Sequence, residues 1–567
     1  MPLFKGRFCR IGLLRIQVQD EKILEVLADF ICSETHMTLL SIEFAVLWAI
    51  STVVYFLFPL KYRWTVLLAA SFVFYFFGGI STGYFMIITI VCIYAVARWL
   101  DSYNQKQKKY LSEHPDLTRD EKKAYKLTIQ HKKRLILAGG LVICFAILVF
   151  LKYFNFLSSQ TFSILGLFGV KAKAPKIDLA LPLGISFYTL QATSYIIDVY
   201  RGKTQAEKNI AKVALFVSFF PQITQGPIGR FKDLAPQLYE GHRFDSVRFK
   251  HGLELALWGL IKKLVIAEYI GMLADTVFTN YRDYAGFVIF LGSVAYGFQV
   301  YSDFSGGMDI IGGIAEIYGV KMATNFERPY FARSIAEFWR RWHITLGAWM
   351  RDYVFYPLSL SRAFANMGKK TRRVFGTYIG KMLPTFLASF IAFMLVGIWH
   401  GSSWKYVAYG LWNSVIITGS ILLDPVYKKV LEKLKVNTEC FSWQFFQIVR
   451  TFVLVSIGRI FSRSASLMDS LRMLKRMFSE FNPWVLTDGT LLKLGLNEKQ
   501  LFLVFVMLLV LLVVGIMQEK GIHLREKLDE QNIIFRWVFI IAAIVLLLVY
   551  GAYGSSFNAA DFVYQQF

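Results

Sequence analysis

Apolar stretches of about 20 residues, long enough to cross a bilayer as a helix, recur along this chain between short charged connectors. Residues 39–60 form the first, stopped by Lys61 and Arg63. Residues 64–77 form the second, which ends at a predicted tight turn, Gly78-Gly79. Residues 86–97 lie in a third, and 135–151 make a fourth beyond a long polar stretch. From residue 182 the runs shorten and admit proline, glycine and polar groups, as in Pro182-Leu183-Gly184-Ile185-Ser186 and Pro221-Gln222-Ile223-Thr224-Gln225-Gly226-Pro227, with Asp198 between them. Irregular backbone at membrane depth is tolerated only where protein or water buries it. The middle of the chain is therefore expected to pack around a cavity, with the uniform flanking helices facing lipid. Further apolar windows cover 253–266 (interrupted by Lys262-Lys263), 287–318, 383–398, 406–423, 445–461, 501–517 and 533–550. The pattern predicts an all-α polytopic membrane protein of roughly 11–13 transmembrane helices at the usual span length.

Residues 1–36 mix acids and bases and hold no run long enough to span. Residues 11–30 suit a short amphipathic helix on the membrane surface, and translation starting at Met37 is the competing reading. Residues 37–567 then form a single membrane domain, with a motif-rich core over 182–423 and no stretch outside the membrane long enough for a second globular domain.

Composition supports this pattern. The 567 residues are 55% hydrophobic and 18% charged, where a soluble protein would carry roughly 25% charged residues. The formal net charge of +24 does not signal nucleic acid, because the basic residues fall in connectors rather than in one patch. Loop 101–134, with Lys106, Lys108, Lys109, Lys122, Lys123, Lys126, Lys132 and Lys133, is cytoplasmic by the positive-inside rule. Counting back places Lys61 and Arg63 inside as well, and the Met37 end outside. The five cysteines show no CxxC pair and no metal-ligand spacing, so neither a disulfide framework nor a metal site is expected.

Asp303 and Asp309 lie in the apolar window 287–318. Carboxylates there are costly unless paired, and a structural network is the favoured reading. In residues 337–353, Trp339, Trp342, Leu346, Trp349 and Tyr353 recur at three- and four-residue steps, which predicts one helix with a shared aromatic face. Arg340, Arg341 and Arg351 take other faces. An interfacial helix, with tryptophans at headgroup level, explains this pattern, and so does a wall of an internal chamber.

Of the eight histidines, only His343 and His400 lie among bulky apolar residues. Residues 383–396 and 406–423, on either side of Trp399-His400-Gly401, carry no charge. There is no phosphate-binding GxxxxGK[ST] loop, no GxSxG elbow, and no acid four or five residues after either histidine. Any catalysis would use an isolated imidazole in a dry pocket. Burial disfavours imidazolium, so such a group stays a proton acceptor near neutral pH, worth about 10²–10⁴ in rate as a general base. The functional reading is favoured for His400 and the structural one for His343.

The spaced motifs Phe219 to Arg230, Gly259-Leu260-Ile261-Lys262-Lys263, Asn325-Phe326-Glu327-Arg328-Pro329-Tyr330, the 337–357 block, the 397–412 block, Gly458-Arg459-Ile460-Phe461-Ser462-Arg463 and the aromatic terminus 562–567 resemble the membrane-bound O-acyltransferase (MBOAT) family. The similarity is to its alginate O-acetyltransferase-like (AlgI-like) branch, related to the D-alanyl-teichoic acid transfer proteins. The resemblance implies helices ringed around a thinned central reaction chamber in a bacterial cell membrane. It implies transfer of an acyl group, usually acetyl, from a cytoplasmic thioester such as acetyl-CoA to hydroxyls of an exported polysaccharide. No bound cofactor is implied, and an extracytoplasmic SGNH-type partner is. His400 matches the family's WHG histidine and His343 its WRRWH histidine. Trp339, Arg340, Arg341, Trp399, Trp404, Asp303 and Asn413 are candidates for the pocket or for donor binding, the arginines toward a carrier's phosphates. Two departures stand out: Trp412-Asn413 where many relatives have histidine, and Ser359-Leu360-Ser361-Arg362 without the usual glycine pair. D-alanyl transfer to teichoic acid is the neighbouring alternative. A transporter or flippase using Asp198, Asp303 and Asp309 is the alternative from another class, although the chain shows no repeat of its two halves.

Overall fold

The computed structural model describes residues 37–77, 80–177, 181–553 and Phe562. The extension 1–36, the Gly78-Gly79 turn and the terminus beyond Phe562 lie outside the described residues. The described chain is helical, with a single antiparallel bridge, Phe326 to Trp342. In order it forms α1 (Ile42–Leu57), α2 (Arg63–Phe77), α3 (Ile80–Glu113), α4 (Arg119–Leu167), α5 (Ile185–Tyr200), α6 (Ile210–Ser218) and α7 (Phe231–Tyr239). Next come α8 (Ser246–Ile261), α9 (Glu268–Thr279), α10 (Gly286–Ile317), α11 (Ile335–Arg341), α12 (Ile344–Met350) and α13 (Tyr356–Ser359). The chain ends with α14 (Arg362–His400), α15 (Trp404–Lys433), α16 (Phe441–Arg463), α17 (Leu467–Ser479), α18 (Glu498–Glu519), α19 (Leu524–Asp529) and α20 (Ile533–Tyr550).

The apolar windows read from the sequence are helical over most of their length. Among the described residues, eight helices are long and apolar enough to cross a membrane: α3, α4, α10, α14, α15, α16, α18 and α20. The chain is a multi-pass membrane protein. The count falls below the sequence estimate for a geometric reason. Helices α1 and α2 have 16 and 15 residues, and at about 1.5 Å per residue each falls short of a bilayer core of about 30 Å. Helix α8 reaches full length only by continuing through a π-helical turn, Lys262–Ala267, into α9.

The expected division between lipid-facing and interior helices holds only at its extremes, since the apolar windows of α14 and α15 in the motif-rich core are 28% and 33% buried, less than the 39% of the early helix α3. Only 6% of the apolar window of α20 is buried and 17% of that of α4, against 67% for α10. Helix α10 is the central post: its Ile310, Ile311 and Ile314 join one hydrophobic core, and its Ile289, Val300 and Phe304 join another. Small residues let α8 lie against it backbone to backbone. A Cβ on Gly259 would meet the Gly306 carbonyl, and one on Gly313 the Gly252 carbonyl, the close approach that glycine permits between membrane helices.

The π turn interrupts α8 where Lys262 and Lys263 were noted in the sequence. Both ammonium groups are buried and paired across to α10. Lys262 Nζ reaches Asp309 Oδ2 at 2.7 Å and Ser305 Oγ at 2.9 Å. Lys263 Nζ reaches Asp303 Oδ1 at 2.7 Å and Glu268 Oε1 at 2.6 Å. The intramembrane carboxylates therefore have the partners that burial requires. Removing one member of such a pair costs about 3–5 kcal/mol, so Lys263→Met is expected to lower the melting temperature of the detergent-purified protein sharply. Asp303→Asn should be milder, because Glu268 still engages the lysine.

Candidate functional site

Helix α14 ends on His400, and the turn that stops it is built from small residues. A Cβ on Gly397 would meet the Gly410 backbone and the Tyr406 carbonyl, and one on Gly401 would meet the Tyr406 ring. The two helices of the α14–α15 hairpin therefore touch backbone to backbone beside the imidazole. His400 is 7% exposed, with the Trp399 ring 5.3 Å away and the Tyr409 ring 5.5 Å away, both edge to face.

His343 sits at a break that the sequence pattern concealed. The single helix expected over 337–353 is instead α11, an extended Trp342 (φ −111°, ψ 127°), His343 at φ 47°, α12 and a π turn over Arg351–Phe355. The cause lies eighteen residues upstream of His343. Asn325 Oδ1 accepts from the Thr345 amide at 3.0 Å and the Thr345 hydroxyl at 2.9 Å, and lies 3.3 Å from His343 Nδ1. The Asn325 carbonyl accepts from Ile344 N, and the Arg341 carbonyl from Glu327 N. One extended segment thus takes the backbone groups that the broken helix exposes. The expectation of tryptophans at headgroup level is corrected as well. Trp339, Trp342 and Trp349 are all buried inside the protein, their indoles packed with other side chains of the core.

The two imidazoles meet on one indole. The Trp399 ring lies 5.7 Å from that of His343 and 5.3 Å from that of His400. Phe187, from the start of α5, contacts both Trp399 (5.3 Å) and His343 (6.1 Å, stacked), and Phe304 of α10 meets His343 at 4.9 Å. His343 is fully buried. Asn413 accepts from Trp339 Nε1 at 3.0 Å and donates to the Tyr409 carbonyl at 2.9 Å, so it links α11 to the residue that packs on His400.

The remaining candidates lie elsewhere. Asp303 is engaged by Lys263, and its neighbour Phe304 meets His343. Arg341 pairs with Glu337 at 2.9 Å and Glu519 at 3.0 Å, while Arg340 is exposed. Trp404 is 52% exposed and donates to Gln160.

Other residues near the site were not singled out from the sequence. Asn325 stood inside a recognised motif without a role. Arg459 is buried with its guanidinium over Trp342 (5.0 Å) and Tyr330 (5.3 Å), a cation held on aromatic faces. Lys152, at the end of an apolar run, donates to the Trp399 carbonyl at 2.8 Å. At another edge of the domain, Arg230 and Arg201 lie over the Tyr353 ring at 4.4 and 5.1 Å, and the Tyr353 hydroxyl donates to Asp198 at 2.8 Å. Trp349 connects that cluster to the core, 5.3 Å from Tyr353 and hydrogen-bonded to the Leu190 carbonyl.

Residues 207–461 match the family model described as MBOAT, membrane-bound O-acyltransferase family. A Pseudomonas aeruginosa protein named probable alginate O-acetylase AlgI is 36% identical over 351 residues, 62% of this chain and 61% of that protein. Its Azotobacter vinelandii namesake is 32% identical over 468 residues, 82% of each chain. A Helicobacter pylori peptidoglycan O-acetyltransferase is 28% identical over 373 residues, 61% of this chain and 65% of that protein. The match thus spans less than two thirds of the length of the first and third of these relatives.

Asn325→Ala strips the acceptor from the break at His343 and leaves the buried Thr345 amide unpaired, which costs about 1–3 kcal/mol. The variant is expected to melt at lower temperature than wild type. Thermal unfolding of the purified pair measures the difference.

Proposed function

The chain belongs to the membrane-bound O-acyltransferase family, and from that premise we propose that it carries acetyl groups from a cytoplasmic thioester to hydroxyls of an exported cell-surface polysaccharide. The observation that supports this most directly is the pair of buried imidazoles on the Trp399 indole. In the proposed step, neutral His400 accepts the proton of the acceptor hydroxyl as its oxygen attacks the thioester carbonyl. The tetrahedral intermediate expels the thiolate, which takes the proton back from the imidazolium. Exclusion of water matters here, because a thioester beside an activated solvent molecule would be hydrolysed. His343, fixed by Asn325 and stacked on Phe187, is assigned to shaping the same chamber.

Acetyl-CoA or a similar thioester is the proposed donor, approaching from the side of loop 101–134. Helices α3 and α4 run past their apolar windows to a charged hairpin closed by a capping box at Thr118 and Glu121. At its base, Asn104 donates to the Val199 carbonyl and Lys133 lies over the Tyr200 ring. The end of α5 that carries Arg201 is thereby on the cytoplasmic side if the basic loop is. Arg201 and Arg230, which donate at 3.1 Å to the carbonyl and the carboxylate of Asp352 respectively, are a second candidate for the donor's phosphates beside Arg340 and Arg341. Delivery to the polymer is proposed to be completed by an extracytoplasmic SGNH-type partner, with the Met37 end on that outer side.

His400→Ala is expected to abolish polymer acetylation in cells that express it fully, and to slow acceptor-dependent CoA release by about 10²–10⁴. Normal acetylation by that variant would sink the proposal. Ester analysis of the surface polymer from a deletion strain separates acetyl from D-alanyl transfer. Substrate counterflow in vesicles that persists without His400 would mark a transporter. Loss of Arg201 or Arg230 to alanine should raise the KM for the CoA donor about tenfold, the equivalent of one charge-assisted hydrogen bond.

A further inference from the structure

Lys152 belongs to none of the motifs above. It follows the apolar run 135–151 within α4, a helix that mostly faces lipid. An ammonium group in such a helix is costly and marks a functional position unless a partner explains it. Its partners are specific. Nζ donates to the Trp399 carbonyl at 2.8 Å and to Ser186 Oγ at 3.3 Å, and stands 5.8 Å from the centre of the Trp399 ring. The neighbouring Tyr153 hydroxyl donates to the Ile398 carbonyl at 2.7 Å. Consecutive side chains of α4 therefore hold the two carbonyls that immediately precede His400.

Those carbonyls belong to the last turn of α14, where the Ile398 carbonyl also accepts from the Gly401 amide at 3.1 Å and the helix dipole favours a cation. A cap alone could be supplied by any donor. The arrangement here does more, because Ser186 is followed by Phe187, whose ring contacts both Trp399 and His343. One ammonium thus joins α4, the start of α5 and the end of α14 at the point where the two imidazoles converge.

We propose that Lys152 is a positioning residue for the transfer reaction: through the Trp399 carbonyl it fixes where His400 stands relative to Phe187 and His343. The inference rests on the reading of His400 as the general base. It predicts an effect on turnover rather than on donor binding, since displacement of a reacting group by about 1 Å can cost as much as 10²-fold in rate.

The test compares full-length wild type, Lys152→Met, Lys152→Arg, Ser186→Ala and His400→Ala in lipid nanodiscs, with acetyl-CoA and a soluble hydroxyl acceptor. Lys152→Met is expected to lower kcat by about 30- to 100-fold with the donor KM little changed, and Lys152→Arg to restore most of that loss. A Lys152→Met protein that folds and turns over like wild type overturns the inference. So does one whose kcat, KM and melting temperature fall together without rescue by arginine, the mark of a cap alone. Should Lys152→Met fail to accumulate, Ser186→Ala decides: lowered kcat at unchanged melting temperature supports the inference, and unchanged kcat overturns it. If His400→Ala itself stays active, the general-base reading has failed. If only His400→Ala is inactive, the positioning role alone has failed.

Discussion

A bilayer offers no water to an unpaired peptide group or charge, so every helix that breaks at membrane depth must be closed by other protein groups. The structure can be understood as a set of such closures. The π turn after α8 carries two lysines, and α10 answers with Asp303 and Asp309. The break at His343 exposes amides, and Asn325 accepts from them. The end of α14 exposes carbonyls, and Lys152 and Tyr153 donate to them. Each irregularity is closed by a side chain from another part of the chain.

The imidazoles are held in different ways. His343 is fixed by the left-handed backbone at its own residue and by a side chain from a distant strand-like segment. His400 is fixed by helix-end geometry and by the contact of glycine backbones in the α14–α15 hairpin. Trp399, between them, is in contact with both rings. Aromatic packing with preferred edge-to-face geometry gives this cluster a defined shape, with the Lys152 ammonium at its edge.

Much of this was legible in the chain. Uniform hydropathy located the spans, and interruption by proline, glycine and charge located the interior. His343 and His400 stood out because bulky apolar residues, tryptophans above all, flank them. What periodicity missed was long-range competition for hydrogen bonds. Nothing within 337–353 announces the break, because the acceptor that stabilises it is Asn325. Arg340 and Arg341 looked available for a ligand, yet Glu519, far along the chain, takes Arg341. Lys152, just past the run 135–151, was not singled out, since only the folded chain brings the end of α14 beside it. Asn413, noted as a departure from the family pattern, proved to join Trp339 to Tyr409.

Helix α4 spans Arg119–Leu167, 49 residues without an interruption, or about 70 Å of rod at the usual rise. That is more than twice the hydrocarbon thickness of about 30 Å. Its apolar window is 17% buried, and its tilt is set by the helices it packs against, α3 and α5. The same rod begins at the Thr118–Glu121 capping box of the charged hairpin and, further along, holds the two carbonyls before His400. One continuous run of helical hydrogen bonds therefore ties the charged hairpin to the turn that carries the imidazole, with no loop between them.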